Sequence, residues 1–179
     1  MTAYYGGKEL AESFRNVRKN TLQVAEDIPE ASYGFIAAPE VRSVARMLTH
    51  LAISTRIWEE IHKKRLTTLE GFDFLGAIDR FQAEEAKPRS KAEIVNLLKT
   101  EGEQFAAWLE TVTPEFLAER ITEPDGKTTK TRFEGLLGAK EHEMHHRAQL
   151  MLIERQLGIV PHLTRQFQER VTQMKAARA

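Results

Sequence analysis

Apolar residues spaced three and four apart, in several runs of about twenty residues, most narrow the folds open to this 179-residue chain. Leu10, Phe14, Val17, Thr21, Val24 and Ile28 keep that spacing until Pro29, which predicts a first helix over about residues 7–28. Pro39, suited to a first helical turn, opens a second helix over about residues 39–66. Val44, Met47, Leu48, Leu51, Ile53, Ile57, Trp58 and Ile61 make that helix apolar around most of its circumference, as expected of one with neighbours on more than one side. Ser90 and Glu93 form a capping box before a third helix carrying Ile94, Leu97, Leu98, Phe105, Trp108, Leu109 and Val112. Thr131 and Glu134 repeat the box before a fourth, which Gly158 is placed to end. A shorter helix follows from Pro161, with Leu163, Phe167, Val171 and Met174. The expected architecture is all-α: an up-down four-helix bundle with a short extra C-terminal helix.

Two connections break the helical pattern. Residues 67–89 are too long for a structureless loop, and Phe72, Phe74 and Phe81 suggest a short helix or lid folded onto the bundle. Residues 120–130 read as a small hairpin before the last bundle helix, with Pro124-Asp125-Gly126 as the turn. No repeat or composition break divides the chain, so residues 1–179 are expected to form one domain.

Charge and cysteine content exclude several function classes. Lys plus Arg and Asp plus Glu balance at 26 each, and the longest basic run is Lys63-Lys64-Arg65, so no strong basic field is expected to attract nucleic acid or a membrane surface. No apolar stretch is long enough to span a bilayer, and the first residues lack the apolar core of a signal peptide; the expected location is cytoplasmic. Cysteine is absent. Disulfides, cysteine-bound metals and a cysteine nucleophile are therefore excluded, and any thiol chemistry requires a thiol from outside.

The six histidines are unevenly placed. His142, His145 and His146 fall within the fourth helix, and His50 lies in the middle of the broadly apolar second. His62 and His162 sit among polar or chain-end positions and are expected to face solvent. At about 100° per residue, His142 and His146 share a stripe, with Gly135 and Ala139 preceding them and Gln149 following. His145 is displaced to the other side of His142. The small residues on the stripe suggest room for something other than protein, which favours His142 with His146 as the functional pair. Three imidazoles, from His50, His142 and His146, could hold a borderline divalent metal such as zinc or nickel with a coordination position open. The alternative is that one histidine is a satisfied core residue and the rest a surface cluster.

The same stretch matches His-Glu-x-x-His, in which Glu143 would be the general base of a zinc peptidase. Its context fails: Gln149 and Leu152 stand where the extended motif needs Gly and His, and the expected elements include no substrate-aligning sheet. Glu143 remains a candidate base or a support for a ligand, with a solvated salt-bridging glutamate as the alternative. Ser54 and Gln149, near the ligand stripes, are candidate pocket groups.

Met47-Leu-Thr-His50-Leu-Ala and His142-Glu-Met-His-His146-Arg-Ala-Gln149-Leu, with a Pro-Asp-Gly hairpin before the last bundle helix, resemble the DinB/YfiT-like superfamily of metal-binding four-helix bundles, over the chain to about Pro161. The resemblance implies a divalent metal held by His50, His142 and His146. Two positions depart from the pattern. No tryptophan lies in residues 41–46, and Ala148 stands where glycine commonly follows His-Arg. Characterised relatives include S-transferases that use a low-molecular-weight thiol, so the resemblance implies a small-molecule substrate with such a thiol as co-substrate. The expected function is a metal-dependent enzyme of S-transferase or hydrolase type. The alternative is a non-catalytic metal- or ligand-binding stress protein. Phe133, Leu137, Met144 and Met151 form a second apolar stripe on the fourth helix, to be covered by another helix or by a second copy in a homodimer.

Overall fold

The computed structural model describes residues 5–178. Helix α1 spans Gly7–Asp27, α2 Val44–Ile53, α3 Thr55–Lys63, α4 Phe74–Glu85, α5 Lys91–Glu110 and α6 Pro114–Ala118. Strands β1 (Arg120–Thr122) and β2 (Thr129–Thr131) precede α7 (Arg132–Gln156) and α8 (His162–Ala176). The two capping boxes form as the sequence predicts: Ser90 Oγ accepts the Glu93 amide, and Thr131 Oγ1 accepts the Glu134 amide. Gly158 takes a positive φ of 78° just past α7, the left-handed turn that ends a helix where a larger residue would be strained.

A four-helix bundle is built from α1, the α2–α3 pair, α5 and α7. α1 and α5 are antiparallel: Phe14 meets Phe105 with ring centroids 4.9 Å apart, and Lys91 Nζ at the start of α5 donates to the Ile28 carbonyl beyond the end of α1. α1 and α7 run the same way, Tyr5 meeting Phe133 and Arg18 meeting Glu143. α3 and α2 pass α7 in the opposite sense, with His62 against Gly135 and His50 against His142. The directions are therefore up, down, down, up. The second and third bundle elements can be parallel because residues 64–90 include α4, which returns the chain along α2 before α5 begins.

The core has two apolar halves. Leu10, Phe14, Phe105, Leu109 and Leu136 fill one, and Val24, Ile28, Leu48, Leu51, Leu98 and Leu150 fill the other. Between them lies a buried ion pair. Arg18 Nε donates to Glu143 Oε1 at 2.9 Å, with the two side chains only 4% and 1% exposed. The guanidinium also donates to the Leu98 carbonyl of α5 and the Leu51 carbonyl of α2, so one side chain ties all four bundle elements together. Gly102 leaves the space for it, since a methyl group there would come within 2.9 Å of Arg18.

Several boundaries differ from expectation. The second helix starts at a Ser43 cap rather than at Pro39, and it is divided at Ser54. There the Leu51 carbonyl accepts both Ser54 Oγ at 3.1 Å and Arg18 Nη2 at 2.9 Å; side-chain donors entering a helix ladder are a physical cause of such a break. α6 is a short added turn begun by Thr113 and Pro114. The hairpin forms as expected, with Ile121 opposite Lys130, and Thr68 bridges alongside Thr122, so the segment after α3 extends it. No described helix is long and apolar enough to cross a membrane.

Candidate metal centre

α2 and α7 cross where both carry histidine. One ring nitrogen from each of His50, His142 and His146 lies within 4.8 Å of the other two. His50 Nε2 and His142 Nε2 are 3.0 Å apart, close to the ~3.3 Å between two nitrogens each about 2.0–2.1 Å from a tetrahedral zinc ion. The outer nitrogens of two rings are already engaged. His50 Nδ1 faces Glu85 Oε1 at 2.7 Å; a carboxylate can only accept, so this nitrogen carries the proton and Nε2 presents a lone pair. His146 Nδ1 faces Gln149 Oε1 at 2.8 Å, which fixes the same tautomer. The lone pairs of His50 and His146 thus face the cluster, beside a His142 ring whose Nδ1 is buried without a partner. That arrangement suits a cation.

Electrostatics keep the rings in their ligand form. Burial, reinforced by the neighbouring His50 and His146 rings, pushes the His142 imidazole down to about 3. Burial lowers His146 as well, although its hydrogen bond to Gln149 opposes the shift. Both are neutral at pH 7. Burial alone would raise the Glu85 carboxyl, but hydrogen bonds from His50 and Arg42 outweigh it and hold the carboxyl below its ordinary range. Arg42 Nε donates to the second Glu85 oxygen at 2.7 Å. The chain His50–Glu85–Arg42 therefore orients one ring from behind. Glu85 ends α4, in the segment expected to be a short helix or lid, and its role was not read from the sequence. Its faint signal is position: it falls four residues after Phe81 and eight after Ala77, on the face that meets α2.

The remaining sequence candidates are placed as follows. Glu143 does not face the imidazoles; it is buried and bonded to Arg18, neither a base at the cluster nor a solvated glutamate. It still neighbours the centre through the chain, since Arg18 grips Glu143, next to His142, and Leu51, next to His50. Ser54 is buried at the α2–α3 break and donates to Leu51; it does not line the space beside the histidines. Gln149 does, and it also approaches His145 Nε2 at 3.3 Å. His145 is exposed and outside the triad.

His62 and His162 do not face solvent as expected; they are 2% and 3% exposed. His62, pushed down to about 4 by burial and by Arg132, packs over α7. A methyl group at Gly135 would lie 3.2 Å from its ring, and one at Gly138 would lie 3.4 Å from Trp58 Nε1. The glycines before His142 therefore admit Trp58 and His62, which with them line a cavity of about 430 Å³ on this side of α7. A cavity of about 290 Å³ on the other side is lined by His146 itself and reached past Val41, Met47 and Leu152.

With this geometry established, comparison places the chain among known proteins. The sequence model of the DinB superfamily matches residues 13–150, so the chain belongs to that superfamily. Three solved structures share its fold. A DinB-like protein, YjoA, from Bacillus subtilis is 24% identical, with a TM-score of 0.62 over 84% of this chain and 92% of that one. YfiT from the same organism, described as a probable metal-dependent hydrolase with an unusual four-helix bundle topology, is 17% identical, with a TM-score of 0.67 over 89% and 91%. An uncharacterised protein from Clostridium difficile 630 is 14% identical, with a TM-score of 0.64 over 86% and 98%. No curated protein matches.

Proposed function

We propose that this member of the DinB superfamily is a metal-dependent enzyme in which His50, His142 and His146 hold one divalent ion, zinc, nickel or similar. The observation that carries the reading is the convergence of one ring nitrogen from each of the three histidines, with an acceptor behind the rings of His50 and His146. An ion held by three neutral ligands would keep its charge and supply Lewis acidity, drawing the pKa of a coordinated water or thiol toward neutrality. The description of YfiT as metal-dependent supports the same reading.

The protein's own groups then divide the work. Glu85 and Gln149 fix ring orientation; Arg42 keeps Glu85 ionised. Glu143, next to His142 in sequence, and Glu85, behind the His50 ring, are both committed to arginines. Neither is free to take a proton, so the nucleophile would ionise at the ion itself; a low-molecular-weight thiol and a water both can. With the thiol, the reaction would be its transfer to a small electrophile.

Titrating cobalt-substituted protein with cysteine, glutathione and other small thiols tests this. A sulfur-to-metal charge-transfer band that saturates with thiol is the expected result. No band, together with cleavage of an ester or amide, replaces transferase with hydrolase. Metal binding with neither result leaves a non-catalytic binding protein.

A further inference from the structure

The cavity beside His146 has a composition that the metal centre alone does not require. It lies between the first half of α2, the last turns of α7 and the loop at residues 37–42. Met47 and Ile153 form its floor, and Ala37, Val41 and Leu152 its walls. Met47 is one turn before His50 and Gln149 one turn after His146, so the cavity opens directly onto the histidine cluster. Val41 and Leu152 are 45% and 60% exposed, although large apolar side chains are normally withdrawn from water when a neighbour can cover them. The charges around it oppose an ionic occupant. Arg42 is already satisfied by Glu85, and Glu40 sits on the same rim, so an anion would meet a carboxylate and a cation a guanidinium.

We propose that this cavity takes a small, uncharged aliphatic portion of the substrate, attached to the group that reaches the metal. This rests on the metal-centre reading above. At about 30 Å³ per water-sized group, the 290 Å³ available fits roughly six to ten non-hydrogen atoms. The portion of the substrate held there is then a short aliphatic chain, not a sugar ring, a base or a charged side chain.

Straight-chain alkyl hydroxamates, from acetohydroxamate to octanohydroxamate, test the proposal on zinc-loaded protein by calorimetry. The head group reports the metal and the tail reports the cavity. Affinity is expected to rise about fourfold per methylene up to about six carbons and then level. Val41→Glu and Leu152→Glu, both at exposed positions, are expected to flatten that rise while leaving acetohydroxamate affinity within about twofold. A flat series in the parent protein, with acetohydroxamate still bound, overturns the proposal and leaves the metal centre standing. A flat series together with a dimer that Leu152→Glu dissociates overturns it in favour of a contact between copies. If the protein binds neither zinc nor acetohydroxamate, the metal reading fails and takes this proposal with it.

Discussion

Glu85 accepts the Nδ1 proton of His50 at 2.7 Å from a helix outside the four bundle elements, and so connects α4 to the centre. Partners of this kind typically change metal affinity 10- to 100-fold when removed. Glu85→Gln is expected to weaken zinc binding by that factor, measured by competition with a chromogenic chelator, with helical content unchanged. An affinity within twofold of the parent would show that Glu85 does not orient the ligand.

The Arg18–Glu143 pair gives a second prediction. Removing one partner of a buried pair strands a charge and costs about 3–5 kcal/mol, whereas replacing both by apolar groups of similar volume is often near neutral. Arg18→Met alone is expected to destabilise by that order in urea unfolding. Arg18→Met combined with Glu143→Leu should recover most of it. If both variants are equally destabilised, the guanidinium's bonds to Leu51 and Leu98, not the ion pair, carry the effect.

A third prediction concerns pH. Glu154 is fully buried with neither oxygen bonded, and burial, with the Asp27 carboxylate nearby, pushes it up to about 7. A carboxyl raised in the folded state binds more protons there than in the unfolded chain between its ordinary value of 4.5 and 7. Its contribution is therefore fully favourable below 4.5 and is lost as pH rises to 7. Glu154→Gln should remove that fall and stabilise the protein at pH 8 by about 1–3 kcal/mol. An unchanged difference between parent and variant from pH 5 to 8 would contradict it.

How far these features could be read from the sequence follows from their range. The capping boxes at Ser90 and Thr131, the stop at Gly158 and the Asp125-Gly126 turn are local, and each formed where its residues stand. His142 and His146 share a face by helical arithmetic, and only the meeting with His50 required a tertiary step. The features that escaped depend on partners far along the chain. Arg18 meets Glu143 across 125 positions, and His50 meets Glu85 across 35. The break at Ser54 involves a donor on another helix as well as its own hydroxyl, and His62 packs over Gly135, whose small size was read as room for a ligand. Periodicity records which face of a helix is buried, not what covers it.

The same phase argument separates the histidines. His50→Ala, His142→Ala and His146→Ala are each expected to abolish stoichiometric metal binding, while His145→Ala retains it, because His145 is exposed and outside the cluster. Equilibrium dialysis against zinc distinguishes them. Retention in His146→Ala with loss in His145→Ala would place the site on the wrong side of α7.

Whether the three histidines hold a metal is decided by elemental analysis of untagged protein, prepared without chelator and dialysed against equimolar zinc. About one divalent ion per chain is expected, with an absorption-edge spectrum showing imidazole nitrogen at about 2.0–2.1 Å. A chain that emerges with no bound metal would show that His50, His142 and His146 are not a metal site.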